Sequence, residues 1–131
     1  LKTIFLIALI AVAFLVALVE GFHNPFTLWN FAPLVAAFIV LLYTERKPRP
    51  DSANRPKMLA GYGFVLGVVI VEIGAHVAWM FDWGKTASGS STAGLLFVVL
   101  PFLALLAGLS SAMAGALIGR WGGGRSTRSE Q

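Results

Sequence analysis

The stretch that decides the fold is residues 58–81, "MLAGYGFVLGVVIVEIGAHVAWMF". As a helix rising about 1.5 Å per residue it would run about 36 Å. That exceeds the roughly 30 Å hydrocarbon core of a bilayer. Its only acid is Glu72 and its only histidine is His76, four residues apart. A helix this apolar has no stable place at a water-facing surface, so the stretch predicts a membrane span.

Working outward, three more apolar runs qualify, over 3–19 ("TIFLIALIAVAFLVALV"), 28–43 ("LWNFAPLVAAFIVLLY") and 93–119. Of the 131 residues, 57% are hydrophobic and only 12% charged, against about 25% charged in a typical soluble domain. The predicted class is an all-α integral membrane protein: four transmembrane helices in a small antiparallel bundle, one domain across 1–131. Lys2 ahead of the first run imitates a signal peptide, but the run is uninterrupted and reads as a retained span. Asn24-Pro25 signals a turn after the first span. Pro48, Pro50 and Pro56 forbid a continuous helix through the 44–57 loop. The tail 120–131, "RWGGGRSTRSEQ", is Gly-rich, basic and expected to be flexible.

The cations orient this arrangement. Lys2, Arg46, Lys47, Arg49, Arg55, Lys57, Arg120, Arg125 and Arg128 fall on one side of a four-span chain, and only Lys85 falls on the other. By the positive-inside rule both termini and the 44–57 loop are cytoplasmic, N-in and C-in, in a membrane of the bacterial inner-membrane type. This asymmetry accounts for the formal charge of +4. The basic balance therefore points to membrane lipids, with the 44–57 loop drawn to anionic headgroups, and not to nucleic acid. Phe22, Phe26, Trp29, Trp79, Phe81 and Trp83 gather at the expected outer interface, and Tyr43 and Trp121 at the inner one, as an aromatic belt requires.

Side chains advance about 100° per residue around a helix. With Gly63 as origin, Gly67 and Gly74 fall within about 60° of it, whereas Glu72, His76, Trp79 and Trp83 lie between about 160° and 220°. The third span thus has a smooth face and a polar, indole-bearing face. The fourth repeats small residues every four positions, as Ala104, Gly108, Ala112 and Ala116, and again as Ala107, Ser111, Gly115 and Gly119. Small faces let membrane helices approach closely, so the third and fourth spans are expected to pair, with a second contact available to the fourth. Pro101 is expected to bend the fourth span near its start.

A charge near the centre of a span is costly, so Glu72 should face protein and not lipid. At four-residue spacing its carboxyl can reach His76 within one helix. One reading of the pair is structural, a polar contact that fixes how helices meet. A second makes His76 an axial ligand to haem or bacteriochlorophyll. The segment "AHVAWMFDW" resembles the histidine-containing stretch of bacterial light-harvesting polypeptides, whose histidine binds bacteriochlorophyll with tryptophans following toward the membrane surface. Those polypeptides have one span, where four are expected here. A third reading makes Glu72 a proton or cation site. In length and span number the chain is similar to the small multidrug transporters. Their essential glutamate lies in the first helix, however, and the 3–19 span has no carboxylate. His23 is expected to be a solvated turn residue.

The chain has no cysteine, so disulfides and thiolate metal sites are excluded. No HExxH, GxSxG or phosphate-loop pattern occurs. Neither catalytic residues nor a metal site are expected, and no cofactor beyond the haem or bacteriochlorophyll considered at His76. The leading expectation is a non-enzymatic small membrane subunit that packs against other membrane protein subunits and helps assemble or stabilise a larger complex. A haem- or bacteriochlorophyll-binding subunit of an electron-transfer or photosynthetic complex, and a small proton-coupled transporter using Glu72, are the alternatives.

Overall fold

The computed structural model describes residues 1–21, 25–46, 54–89 and 93–123, and among these every regular element is helical. Four helices carry the apolar runs: α1 (Lys2–Glu20), α2 (Pro25–Glu45), α3 (Arg55–Met80) and α4 (Leu96–Gly123). Short 3-10 turns lie at Trp83–Lys85 and Ala93–Leu95. All four long helices are apolar and long enough to cross a membrane. His23, residues 47–53 of the 44–57 loop and the tail beyond Gly123 lie outside the described residues.

The helix ends follow local chemistry. Gly21 takes a positive φ of 76°, which a glycine adopts without steric cost and which stops α1 directly after Glu20. Pro56 stands in the first turn of α3, where its missing amide hydrogen leaves no bond unmade. At the other end of α3, Asp82 (φ 49°), Gly84 (φ 62°) and Lys85 (φ 61°) are left-handed. The helix therefore ends at Met80, and Trp83 leaves the polar face assigned to it, stacking on Phe81 with centroids 6.2 Å apart.

The most extensive interface joins α3 to α4. Gly63 lies against the Ser111 carbonyl and Gly67 against that of Ala107, while Gly115 meets Leu59 and Gly119 meets Pro56. Position rises along one helix as it falls along the other, so the pair is antiparallel. A Cβ on any of these glycines would collide with partner backbone. Gly108 sits beneath the Phe64 ring and Val68, and Ala104 is fully buried. Gly108, Ala104 and the Ser111 row thus face α3 within this chain. Ala112 packs against the core as a half-buried residue.

Gly74 departs from the expected packing set: it is exposed, and a Cβ there would meet nothing. The small row of α4 stops at Ala104. Beyond it, buried Phe97 and Leu100 occupy the space that close backbone contact would need. The remaining core is one cluster in which Leu9, Val12 and Val16 of α1 meet Leu34, Ala37 and Leu41 of α2 and Val65, Val68 and Val69 of α3.

These placements separate two glycines of similar helical phase. Gly67→Leu should lower stability by about 1–3 kcal/mol or more, since an added side chain must push α4 away. Gly74→Ala should be neutral or raise stability by roughly 0.5–1 kcal/mol, through helix propensity alone. Thermal unfolding of the two variants in detergent checks the contrast.

Candidate functional site

Four polar side chains from three helices meet inside the bundle. Glu20 is the last residue of α1, Asn30 lies near the start of α2, and Glu72 and His76 lie on successive turns of α3. Asn30, Glu72 and His76 are wholly buried, and the Glu20 side chain is 1% exposed. The α1 end is held by Thr27, whose hydroxyl donates to the Gly21 carbonyl at 2.7 Å. That bond fixes where the Glu20 side chain enters the core.

His76 is the hub. Its Nδ1 lies 2.8 Å from the Glu72 backbone carbonyl, which can only accept, so Nδ1–H donates. Nε2 lies 2.9 Å from Glu20 Oε1. One proton must sit between those two atoms, either as imidazolium against carboxylate or as neutral imidazole against carboxylic acid. The same Glu20 oxygen accepts from Asn30 Nδ2 at 2.8 Å. A carboxylate at the C-terminal end of α1 opposes the helix dipole, and a cationic His76 beside it offsets that.

The Glu72 carboxyl is arranged differently. Its nearer oxygen to the ring is 3.5 Å from His76 Nδ1, and neither oxygen has a hydrogen-bond partner. The bond that Glu72 makes to His76 within α3 is therefore a backbone one, with the carboxyl left over. Glu20 Oε2 and Asn30 Oδ1 are likewise unpartnered. All four unpartnered buried side-chain atoms among the described residues are oxygens able to accept, and none is a donor lacking an acceptor.

α4 closes the fourth side with apolar surface. Phe97 lies 5.4 Å from the His76 ring and 4.8 Å, edge-on, from Trp79. Trp29 donates from Nε1 to the Val98 carbonyl at 3.0 Å and meets the edge of Phe102. This fastens α2 to α4 just before Pro101, where the helix lacks an amide hydrogen. Trp29 and Trp79 thus make contacts inside the bundle as well as standing at its end.

Of the residues singled out from sequence, the structure brings Glu72 and His76 into one cluster and leaves Gly74 exposed, outside the α3–α4 seam. Glu20 and Asn30 were missed. Glu20 reads as a loop residue when the first span is closed at Val19, and one further residue puts a carboxylate in the first helix. Asn30 hides as a lone amide in an apolar run. Their signal is depth: aligned by their outer ends, the spans place Glu20, Asn30 and His76 at one level. An axial ligand must offer a free ring nitrogen, and both of His76's are engaged, so a metal macrocycle would have to displace Glu20. The residues here do not form a metal-ligating group.

Past α3, Asp82 organises the connecting turn. Its Oδ1 accepts from the backbone amides of Ala87 (2.8 Å) and Ser88 (3.1 Å), and the Ser88 hydroxyl donates to Oδ2. The hydroxyl bond first, then the two amides, hold its carboxyl below the usual aspartate range.

The chain matches no protein-family model, no curated protein and no solved structure.

His76→Leu should cost about 3–5 kcal/mol in unfolding free energy, because it removes the imidazole partner of the buried Glu20 carboxyl. Denaturant unfolding in detergent measures this. A carboxyl held low when folded keeps its bonds above its ordinary value and loses them as pH falls through the lower folded one. The Ala87 and Ser88 amide resonances should therefore titrate with a midpoint below that of a free aspartate.

Proposed function

We propose that this chain is an integral membrane protein whose working centre is the Glu20–His76–Glu72 group, and that it acts as a small proton-coupled carrier. One observation carries the reading: Glu72 is wholly buried with neither carboxyl oxygen hydrogen-bonded. A contact that only held helices together would not need it. Packed apolar residues in place of buried ionic ones are often as stable or more so. An ionisable side chain kept inside a membrane bundle at such expense is best accounted for by a role in moving protons or ions. The Glu72 carboxyl lies 3.5 Å from His76 Nδ1 and the Glu20 carboxyl 2.9 Å from Nε2, so the imidazole stands between two groups able to exchange a proton with it, one on α3 and one at the end of α1. Glu20 also restores a carboxylate to the first helix, the helix in which the small multidrug transporters carry theirs, though here it stands at the helix end.

The lysines and arginines support placement in a bacterial cytoplasmic membrane with both termini inside. On that orientation the cluster lies toward the outer face. A reporter active only in the cytoplasm, fused after Gln131, should be active.

A second reading, an assembly subunit of a larger membrane complex, is favoured by a separate feature. An apolar groove of about 320 Å³ runs between α1 and α2, walled by Leu9, Ala13, Phe31, Leu34 and Phe38 among others. A side chain of a neighbouring transmembrane helix fits such a groove by shape.

The two readings part in one experiment. In proteoliposomes with an imposed pH gradient, the carrier reading predicts proton flux that falls at least about tenfold in Glu72→Gln, as loss of a general proton-transfer group does, with unfolding temperature preserved. Flux equal in wild type and Glu72→Gln sinks it. Copurification of other subunits, lost on Ala13→Trp and kept in Glu72→Gln, would establish the second reading instead.

A further inference from the structure

At the end of the bundle opposite the buried cluster, a cavity of about 310 Å³ opens between the last turn of α2 and the first turn of α3. It is lined by Tyr43, Thr44, Arg46, Asn54, Lys57 and Met58. Two of the six are cations and none is an acid. Glu45, the nearby carboxylate of α2, is engaged elsewhere. It accepts the hydroxyl of Tyr62, whose ring stacks on Phe5 at 5.1 Å. Arg46 lies with its guanidinium 5.3 Å over the Tyr43 ring, which places its charge beside the exposed aromatic wall of the cavity. Lys57 and Arg46 make no ion pair among the described residues. The first turn of α3 contains no acidic residue, so its backbone amides add to the positive potential.

The walls are as telling as the charges. Tyr43 is 69% and Met58 38% exposed, on helices whose apolar stretches begin there. A site for a free anion gains nothing from an apolar wall that continues into the hydrocarbon, whereas a phospholipid needs both parts. We propose that this cavity binds the headgroup of an anionic phospholipid. The phosphodiester would lie between Arg46 and Lys57 and the acyl chains along Tyr43 and Met58. Arg presents a planar fork to phosphate oxygens and Lys a point charge, a common division in phosphate recognition. The site is independent of the proton reading but rests on the membrane insertion proposed with it.

The test uses the full chain in nanodiscs of phosphatidylcholine with a minor fraction of phosphatidylglycerol. Retained lipids are counted by native mass spectrometry. Wild type should retain phosphatidylglycerol in excess over its bulk fraction. Arg46→Gln and Lys57→Gln should each lower that preference about fivefold, the effect of one cation near an anionic surface. Lys57→Arg should keep it, and an unchanged unfolding temperature shows the variants folded. Equal retention of both lipids by wild type overturns the proposal. So does an undiminished preference in the double variant, which would assign it to the other basic residues of the 44–57 loop or the tail. Displacement of the lipid by millimolar inorganic phosphate would mark a free-anion site and overturn the lipid assignment. Failure of the chain to enter phosphatidylcholine nanodiscs would defeat membrane insertion itself, and this site with it. Proton flux lost in Glu72→Gln but kept in Lys57→Gln would show the two sites to be separate.

Discussion

The close backbone contact between α3 and α4 governs the rest of the molecule. Helices in hydrocarbon gain little from burying apolar surface against each other, because lipid is equally apolar. What remains is van der Waals contact, which is greatest where no side chain intervenes. Gly63 and Gly67 on one helix, and Gly115 and Gly119 on the other, remove the side chains along one seam. Once that seam forms, the rotation of α3 about its axis is settled. The opposite face, with Glu72 and His76, then turns toward α1 and α2, while Phe97 of α4 reaches the His76 ring from the side. In the proposed membrane setting, a helix free to rotate would present those groups to lipid, where an ionised side chain is costly.

The polar cluster is therefore downstream of glycine packing, and it reciprocates. The Asn30–Glu20–His76 bonds join α1, α2 and α3 at one level. α1 presents much of its surface outward, including Ile4, Ile7, Ile10, Phe14 and Leu18. For such a helix, the bonded carboxyl at its end adds a directional contact to the packing of Leu9, Val12 and Val16. Trp29 extends the tie to α4 through the Val98 carbonyl. The two ends of the bundle thereby differ in kind: one is joined through buried polar groups, the other presents cations around an open cavity. The proposed proton-handling centre and the proposed lipid-binding rim are compatible with one fold because the apolar core of Val12, Leu41, Val65 and Val68 separates them.

The four helices were legible from hydropathy because each run is long and nearly free of charge, and length alone leaves few structures that satisfy the backbone in lipid. The α3–α4 pairing was legible too, since glycine and alanine at four-residue spacing define a face without knowledge of the partner. Gly74 shows the limit. Its helical phase matches Gly63, but phase says nothing about how far along two helices stay in contact, and large residues on α4 end the seam first. Trp83 shows another, because the left-handed backbone at Asp82 ends the helix that its phase assumes. The candidate site was half legible. Glu72 and His76 stand out within one apolar run. Glu20 sits one residue past a span boundary, and Asn30 is an uncharged amide, so neither registers on a scale of charge or periodicity.

By itself, the sequence determined that the chain is helical, that it has four stretches able to cross a membrane, which faces of the third and fourth are smooth, and where the cations lie. These depend on composition and on the fixed geometry of a single helix. Only the tertiary structure decided that His76 pairs with Glu20, 56 positions away, that the Glu72 carboxyl is left without a hydrogen bond, and that Arg46 and Lys57 share a cavity. Each of those depends on the relative rotation and depth of separate helices. That alignment is set by the collective fit of many small contacts, and no local pattern in the chain encodes it.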